Sequence, residues 1–244
     1  MIDPRPYGIE KRISNVKSVI AVSGGKGGVG KSLVASLLTL FLCERNERVG
    51  LLDLDFYGPS THVILGINGV EIKEDMGIRP PKWRGISYMS ISLFTKGNPL
   101  PIRGKDASNI LREILSVTLW EGLDYLVLDM PPGTGEIELD TLIFFKNVKF
   151  LLVTNPSKTA YEVLKKEIGL LRARNIPIIG VIENQRMESN SLEGVIDVDV
   201  PIIGSFPYEK ELERSLGSPD SIMGTFLFSV AKSVFERIFP KDVH

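Results

Sequence analysis

Short apolar runs rich in β-branched residues recur along the chain, separated by stretches whose apolar positions return at helical spacing. The first run, Ser18–Val22 (SVIAV), shows no polar alternation and predicts a strand buried on both faces, the pattern of a parallel sheet. Gly50–Asp55, Ile86–Ile91, Asp124–Met130, Val148–Thr154 and Pro177–Glu183 continue the series, and Pro201–Ser205 closes it. Helical patterns lie between most of them, at Asp106–Leu119, Glu136–Phe145, Thr159–Arg174 and Gly224–Phe239. The helix that opens at Lys31 and ends before Gly50 is apolar nearly all round, which predicts a sandwiched position.

Strands alternating with helices predict an α/β fold of three layers, α/β/α, with a mostly parallel central sheet. Connections should be right-handed, and ligand loops should lie beyond the carboxyl ends of the strands. Asn68–Arg84 is the least regular stretch and reads as a small hairpin or excursion. Residues 1–16 read as an N-terminal tail and residues 17–244 as a single domain.

Composition narrows the classes of function. At 43% hydrophobic and 24% charged residues, the 244-residue chain has ample material for a core. A formal net charge of −1 supplies no global field for nucleic acid or anionic lipid, so neither partner is expected. No apolar run approaches the ~18–20 residues that span a bilayer, and the first residues carry no apolar signal-peptide core, so the expected location is the cytoplasm. The single cysteine, Cys43, rules out a disulfide framework within the chain and reads as a small buried apolar side chain. His62 and His244 have no ligand partner at useful spacing.

Candidate chemistry concentrates after the first strand. Gly25, Gly30, Lys31 and Ser32 match G-x-x-x-x-G-K-[ST] between a predicted strand and a predicted helix. Glycine lets backbone N–H groups approach phosphate oxygens, and the helix N-terminus adds partial positive charge. Lys31 is placed to reach the β- and γ-phosphates and Ser32 to bind Mg²⁺. Asp53 and Asp55, at the end of the second strand, alternate onto one face. Asp129 ends another apolar strand, the usual place for a carboxylate that holds a metal-bound water. Strand-terminal aspartates also cap following turns, an alternative that stays open for all three. PPGTG, residues 131–135, suits a loop whose backbone senses a γ-phosphate.

KGGVGKS resembles the deviant phosphate loop of the MinD/ParA and nitrogenase iron-protein superfamily of dimeric ATPases. More narrowly, VIAVSGGKGGVGKS, DLDFYGPS, DYLVLDMPPGTGE and GVIEN resemble the Mrp/ApbC family of iron–sulfur cluster carrier ATPases, in that family's order from about Lys17 to Pro207. The resemblance implies a P-loop NTPase fold and a homodimer with ATP sandwiched at its interface. Its nucleotide-binding residues would be Gly25, Lys26, Gly27, Gly28, Val29, Gly30, Lys31, Ser32 and Leu33, with Asn184 at the adenine and Pro207 in the FPY stretch that closes over the base. Lys26 would be the signature lysine that reaches the partner's nucleotide, while Lys31 serves its own subunit. Asp55 would position or activate the attacking water. Ser32, Asp53 and Asp129 would serve the Mg²⁺, and residues 131–135 would be switch II.

One part of that family's pattern is missing. Members usually carry C-x-x-C soon after the EN motif, so that two subunits offer four thiolates to a bridging cluster. Here the stretch reads ENQRMESNSLEGVIDVDVPIIG, without cysteine. The resemblance therefore implies a Mg²⁺-dependent ATPase that uses ATP/ADP and serves an iron–sulfur apoprotein or scaffold client, and not a cluster held by this motif. Two other readings stand beside it: a MinD/ParA-like positioning switch, for which the amphipathic C-terminal stretch could face a membrane, and an ATP-dependent ligase of the dethiobiotin synthetase type. A C-terminal helix packed on the sheet is the commoner arrangement.

Overall fold

The computed structural model describes residues 5–95, 104–133, 135–187 and 199–240. Helix α1 (Arg5–Ile13) leads into β1 (Ser18–Ser23), α2 (Lys31–Glu44), β2 (Val49–Asp53) and α3 (Thr61–Leu65). Three two-residue strands follow, β3 (Lys73–Glu74), β4 (Ile78–Arg79) and β5 (Lys82–Trp83), then β6 (Ile86–Ser90), α4 (Ser92–Thr95) and α5 (Gly104–Val117). The second half runs β7 (Tyr125–Asp129), α6 (Glu136–Phe144), β8 (Val148–Thr154), α7 (Lys158–Ala173), β9 (Ile178–Arg186) and β10 (Ile202–Pro207). It ends with α8 (Leu212–Ser215), α9 (Pro219–Met223) and α10 (Phe226–Ile238).

Eight strands form one sheet in the order β10-β9-β8-β1-β7-β2-β6-β5, parallel throughout except for the antiparallel β5–β6 pair. The central strands carry Val, Ile and Leu on both faces, and helices cover both. On one face α2 and α10 bury Leu37, Leu38, Phe41, Phe228 and Phe235. On the other, α1, α5, α6 and α7 bury Ile9, Leu111, Ile137, Leu164 and Leu171. The expected three-layer α/β/α arrangement is the observed one. Helix α2 is wedged between the sheet and α10, with the Phe41 and Phe235 rings 5.6 Å apart, which explains an apolar pattern with no polar side.

Strand β1 lies between β7 and β8, with β2 two places away. The chain leaves β1 toward β2 on one side and later returns to β8 on the other. The carboxyl end of β1 is thus a topological switch point, where neighbouring loops diverge and leave a crevice.

Several expectations are adjusted. Within the stretch read as a tail, Arg5–Ile13 is a helix with Ile9 fully buried; one apolar contact and a proline tolerated in the first turn give it little periodic signal. Asn68–Arg84 contains the antiparallel β3–β4 pair, turned at Met76 and Gly77, both at positive φ, and then β5. Helix α10 starts at Phe226 instead of Gly224, because the Thr225 side chain accepts a hydrogen bond from the Phe228 N–H and caps the first turn. Its apolar face lies against α2 and β10. Strand β2 stops at Asp53, so Asp55 sits in the following loop and does not share a strand face with it.

Candidate functional site

The loop after β1 is hemmed in on three sides. A Cβ on Gly24 would stand 2.1 Å from the Val153 carbonyl oxygen of β8, so backbone packs where a side chain would be. Gly30 has φ 92° and caps α2; a Cβ there would stand 2.1 Å from the Asn184 amide nitrogen. No side chain caps this helix, so the first-turn N–H groups stay directed at the loop with the positive end of the helix dipole. That is an anion-binding geometry.

Lys31, in the first turn, is buried, and its ammonium donates to the Lys26 carbonyl at 3.3 Å. Burial pulls its pKa down, and Asp129, Asp55 and Glu167 act against that pull. Asp129, at the end of β7, is fully buried, and neither carboxylate oxygen has a hydrogen-bond partner in good geometry. Its pKa is pushed up by burial first and by Asp53 next, while the Ser32 hydroxyl and Lys31 lie close enough to favour its charge. Two orphaned carboxylate oxygens beside a hydroxyl make a hard oxygen donor set, which fits Mg²⁺.

Asp53 differs. Its Oδ1 accepts the Asp55 N–H at 3.1 Å, and its Oδ2 accepts the Thr61 N–H at 3.2 Å and hydroxyl at 2.6 Å. Burial still raises it to about 6. Asp55, half-buried, accepts the N–H groups of Tyr57 and Gly58 at 3.2 and 3.0 Å. Both acids therefore shape the loop that follows β2, as aspartates at a strand end do.

Beside the loop, Asn184 donates to the Val29 carbonyl at 2.9 Å and Gln185 to the Gly28 carbonyl at 3.3 Å, tying β9 to the phosphate loop. A cavity of about 230 Å³ opens there, and Leu33, Asn184 and Pro207 line it together with Gly30, Ile64 and Tyr208. The structure thus brings the two residues expected at the base, Asn184 and Pro207, into one pocket with Leu33 from the phosphate-loop side, while Phe206 turns into the core. Lys26 is not gathered with the others: its ammonium donates to the Thr159 hydroxyl at 2.7 Å, at the start of α7.

Two buried acids were not singled out by sequence reasoning. Glu167, on α7, accepts the Ser23 hydroxyl and lies close enough to the Gly25 N–H to favour its charge, while burial raises its pKa. Glu138, in the first turn of α6 and 1% exposed, has no partner for either oxygen. Its pKa rises to about 8 through burial first and Glu167 second, against Arg174. A charged residue at core spacing among Leu164, Ile168 and Leu171 is the signal that could have found Glu167.

The remaining candidates stand apart. The Cys43 thiol donates to the Arg84 carbonyl at 3.4 Å, and burial pushes its pKa up. Burial lowers His62, and no group of three metal-ligating side chains occurs among the described residues. Thr134 of the expected switch II, His244 and most of the stretch where the C-x-x-C was sought (188–198) lie outside the described residues. Among the described residues, no helix is long and apolar enough to cross a membrane.

Comparison with known proteins follows the same lines. The family model for ParA-type NUBPL iron-transfer P-loop NTPases matches residues 15–195. An iron-sulfur cluster carrier protein of Rickettsia felis is 41% identical over 199 residues, 80% of this chain and 63% of that protein. Its counterpart in Aquifex aeolicus is 34% identical over 97% of this chain and 72% of its own length. The chain spans 63–66% of the length of three Rickettsia relatives. Among solved structures, a nucleotide-binding protein of Archaeoglobus fulgidus in complex with ADP superposes with a TM-score of 0.72 at 25% identity, over 92% of this chain and 95% of that one. The septum site-determining protein MinD of Pyrococcus horikoshii, complexed with Mg-ADP, gives 0.67 at 20% identity over 91% and 96%, a likeness of fold.

Proposed function

Because the chain belongs to the NUBPL-type iron-transfer P-loop NTPases of the ParA family, we propose that it binds and hydrolyses ATP with Mg²⁺ as a homodimer and acts in iron–sulfur cluster assembly or transfer. The observation that carries this reading is the uncapped α2 N-terminus, with Lys31 buried beside the unpartnered Asp129.

In this reading the N–H groups of the phosphate loop and Lys31 hold the β- and γ-phosphates, and the cavity at Leu33, Asn184 and Pro207 takes the adenine. Ser32 and Asp129 would hold Mg²⁺, which neutralises phosphate charge when bound. Asp53, with both oxygens committed, holds the loop that presents Asp55. Asp55 orients the attacking water. The new O–P bond forms as the bond to ADP breaks, and the water's proton leaves with phosphate.

The iron–sulfur cluster is cargo here. The chain contributes one cysteine, on α2 away from the phosphate loop, so it lacks the thiolate pair that a bridging cluster takes from each subunit. The reading therefore assigns this chain the ATP-driven part of cluster handling, and its client holds the cluster. Helix α10 packs its apolar face inward, which speaks against the membrane-binding form of the positioning-switch alternative.

Anaerobic reconstitution with iron and sulfide, with ATP hydrolysis and ATP affinity followed on the same sample, tests this. Mg²⁺-dependent hydrolysis without stoichiometric iron is expected, and Lys31→Ala should weaken ATP binding at least about 100-fold, roughly 2.7 kcal/mol. Wild-type ATP affinity in Lys31→Ala would remove the phosphate-loop assignment. About four irons per dimer would show that other ligands hold a cluster.

A further inference from the structure

We infer that Tyr88 and Thr61 are positioning residues for hydrolysis, a relay of two buried hydroxyls that fixes Asp53 and, through it, the turn carrying Asp55. The inference rests on the reading that Asp55 orients the attacking water.

The relay follows from the sheet register. Asp53 of β2 is paired with Asp129 of β7 on one side and with Ser90 of β6 on the other, so the three share one face in a row across the strand ends. Tyr88, two residues before Ser90, points to that same face. Its phenol oxygen lies 3.0 Å from the Thr61 hydroxyl, which lies 2.6 Å from Asp53 Oδ2.

The direction of donation is fixed by chemistry. An ionised carboxylate only accepts, so the Thr61 hydrogen goes to Asp53. The Thr61 oxygen then has lone pairs to accept the phenol hydrogen of Tyr88. At the far side of the same carboxylate, Oδ1 takes the Asp55 N–H at 3.1 Å. An unbroken path thus runs from Tyr88 through Thr61 and Asp53 to the backbone of Asp55.

Neither hydroxyl is needed to fill space. Tyr88 and Thr61 are both 0% exposed, and phenylalanine and valine would occupy nearly the same volumes without a polar group to desolvate. The other hydroxyls near the phenol, those of Ser90 and Ser92, are also buried, and Ser92 donates to Ser90 at 3.0 Å. The Leu54 N–H makes the last ladder bond, to the Asp129 carbonyl at 2.9 Å; from Asp55 to Ser60 no further ladder bond holds the loop, and one carboxylate closes it at both ends. Loosening that carboxylate lets Asp55 wander, and a misplacement well under the size of an atom already slows an aligned reaction.

The test is a steady-state and binding comparison of the full chain with Tyr88→Phe, Thr61→Val, Thr61→Ser, the double variant Tyr88→Phe/Thr61→Val and Asp55→Asn. Tyr88→Phe is expected to lower kcat about tenfold, or about 1.4 kcal/mol of barrier, with KM for Mg-ATP within about twofold of wild type. Thr61→Val should lose at least as much, Thr61→Ser should recover most of it, and the double variant should be no worse than Thr61→Val, since both break one path. Thermal unfolding of each variant separates this from misfolding, and Thr61→Ser keeps the test open where Thr61→Val fails to fold. Wild-type kcat in Tyr88→Phe, a loss confined to KM, or additive losses in the double variant would overturn the relay. If Asp55→Asn abolishes turnover while the hydroxyl variants keep it, the relay fails and the Asp55 assignment stands. If Asp55→Asn turns over normally, or the wild type does not hydrolyse ATP, the functional reading falls and takes the relay with it.

Discussion

Glu138 shows how a single buried acid sets a pH dependence. Its carboxyl sits in the first turn of α6 with both oxygens unpartnered, and burial together with Glu167 raises its pKa to about 8 from 4.5. Arg174, at the end of α7, opposes the rise. Below the unfolded value both states hold the proton, and between the two values only the folded state does. Stability therefore falls as pH rises from about 4.5 to about 8 and levels off above that window, each unit being worth about 1.4 kcal/mol at most. Glu138→Gln keeps the shape and removes the titration. Thermal unfolding from pH 5 to 9 should show a variant nearly level with wild type at the acid end and increasingly more stable toward the alkaline end. Parallel curves would mean that Glu138 is ionised in the fold without cost. Residues of this kind were the illegible part of the site. Gly30, Lys31 and Asp129 could be read because a backbone that must approach phosphate dictates glycine, lysine and a strand-end acid at fixed spacing. Tyr88, Thr61 and Glu138 each look like ordinary strand or helix residues until the sheet register brings the first two to Asp53 and the fold sets Glu138 near Glu167.

At the scale of elements, the start of α2 carries two demands that both fall on Gly30. The left-handed φ of 92° alone would cost another residue about 1–2 kcal/mol. The Asn184 amide 2.1 Å from a built Cβ adds a clash with the side chain that ties β9 to Val29 and lines the cavity. Gly28, by contrast, has φ 79° but nothing within 4 Å of a built Cβ. Gly30→Ala should therefore weaken nucleotide binding by about tenfold or more in titration calorimetry, whereas Gly28→Ala should bring backbone strain with a smaller loss. Equal losses would locate the demand in backbone conformation alone. Elements with such dense constraints were also the ones the hydrophobic pattern located: β8 runs over Val148–Thr154 as expected, and α7 is displaced by one residue at each end. Helix α1 escaped notice because it buries Ile9 alone, and its polar partners are distant in sequence: Glu10 pairs with Lys146 and Arg12 donates to the Met76 carbonyl.

The arrangement of the whole molecule assigns the two loop lysines to different places. Lys31 faces inward, where its charge acts on Asp129, whereas Lys26 is turned outward onto Thr159 of α7. Among the described residues, nothing directs the Lys26 ammonium at its own phosphate site. In a closed two-fold dimer, residues that leave one subunit's site are free to complete the other's. That arrangement makes a prediction that no single variant can make. Lys26→Ala and Asp55→Asn proteins should each hydrolyse ATP poorly while still binding it, but mixing them should restore turnover. In the mixed dimer, the Lys26→Ala subunit keeps its own Asp55 and receives the lysine of the Asp55→Asn subunit. Its site is then complete, while the other site lacks both groups. Random pairing of equal amounts should thus recover roughly a quarter of wild-type turnover, since half the dimers are mixed and one site in each is whole. If Lys26 served its own subunit, neither site of the mixed dimer would be complete and mixing would restore nothing. Stopped-time phosphate release across a mixing series reads the difference directly: a hump at equal proportions places Lys26 across the interface, and a flat line returns it to its own loop.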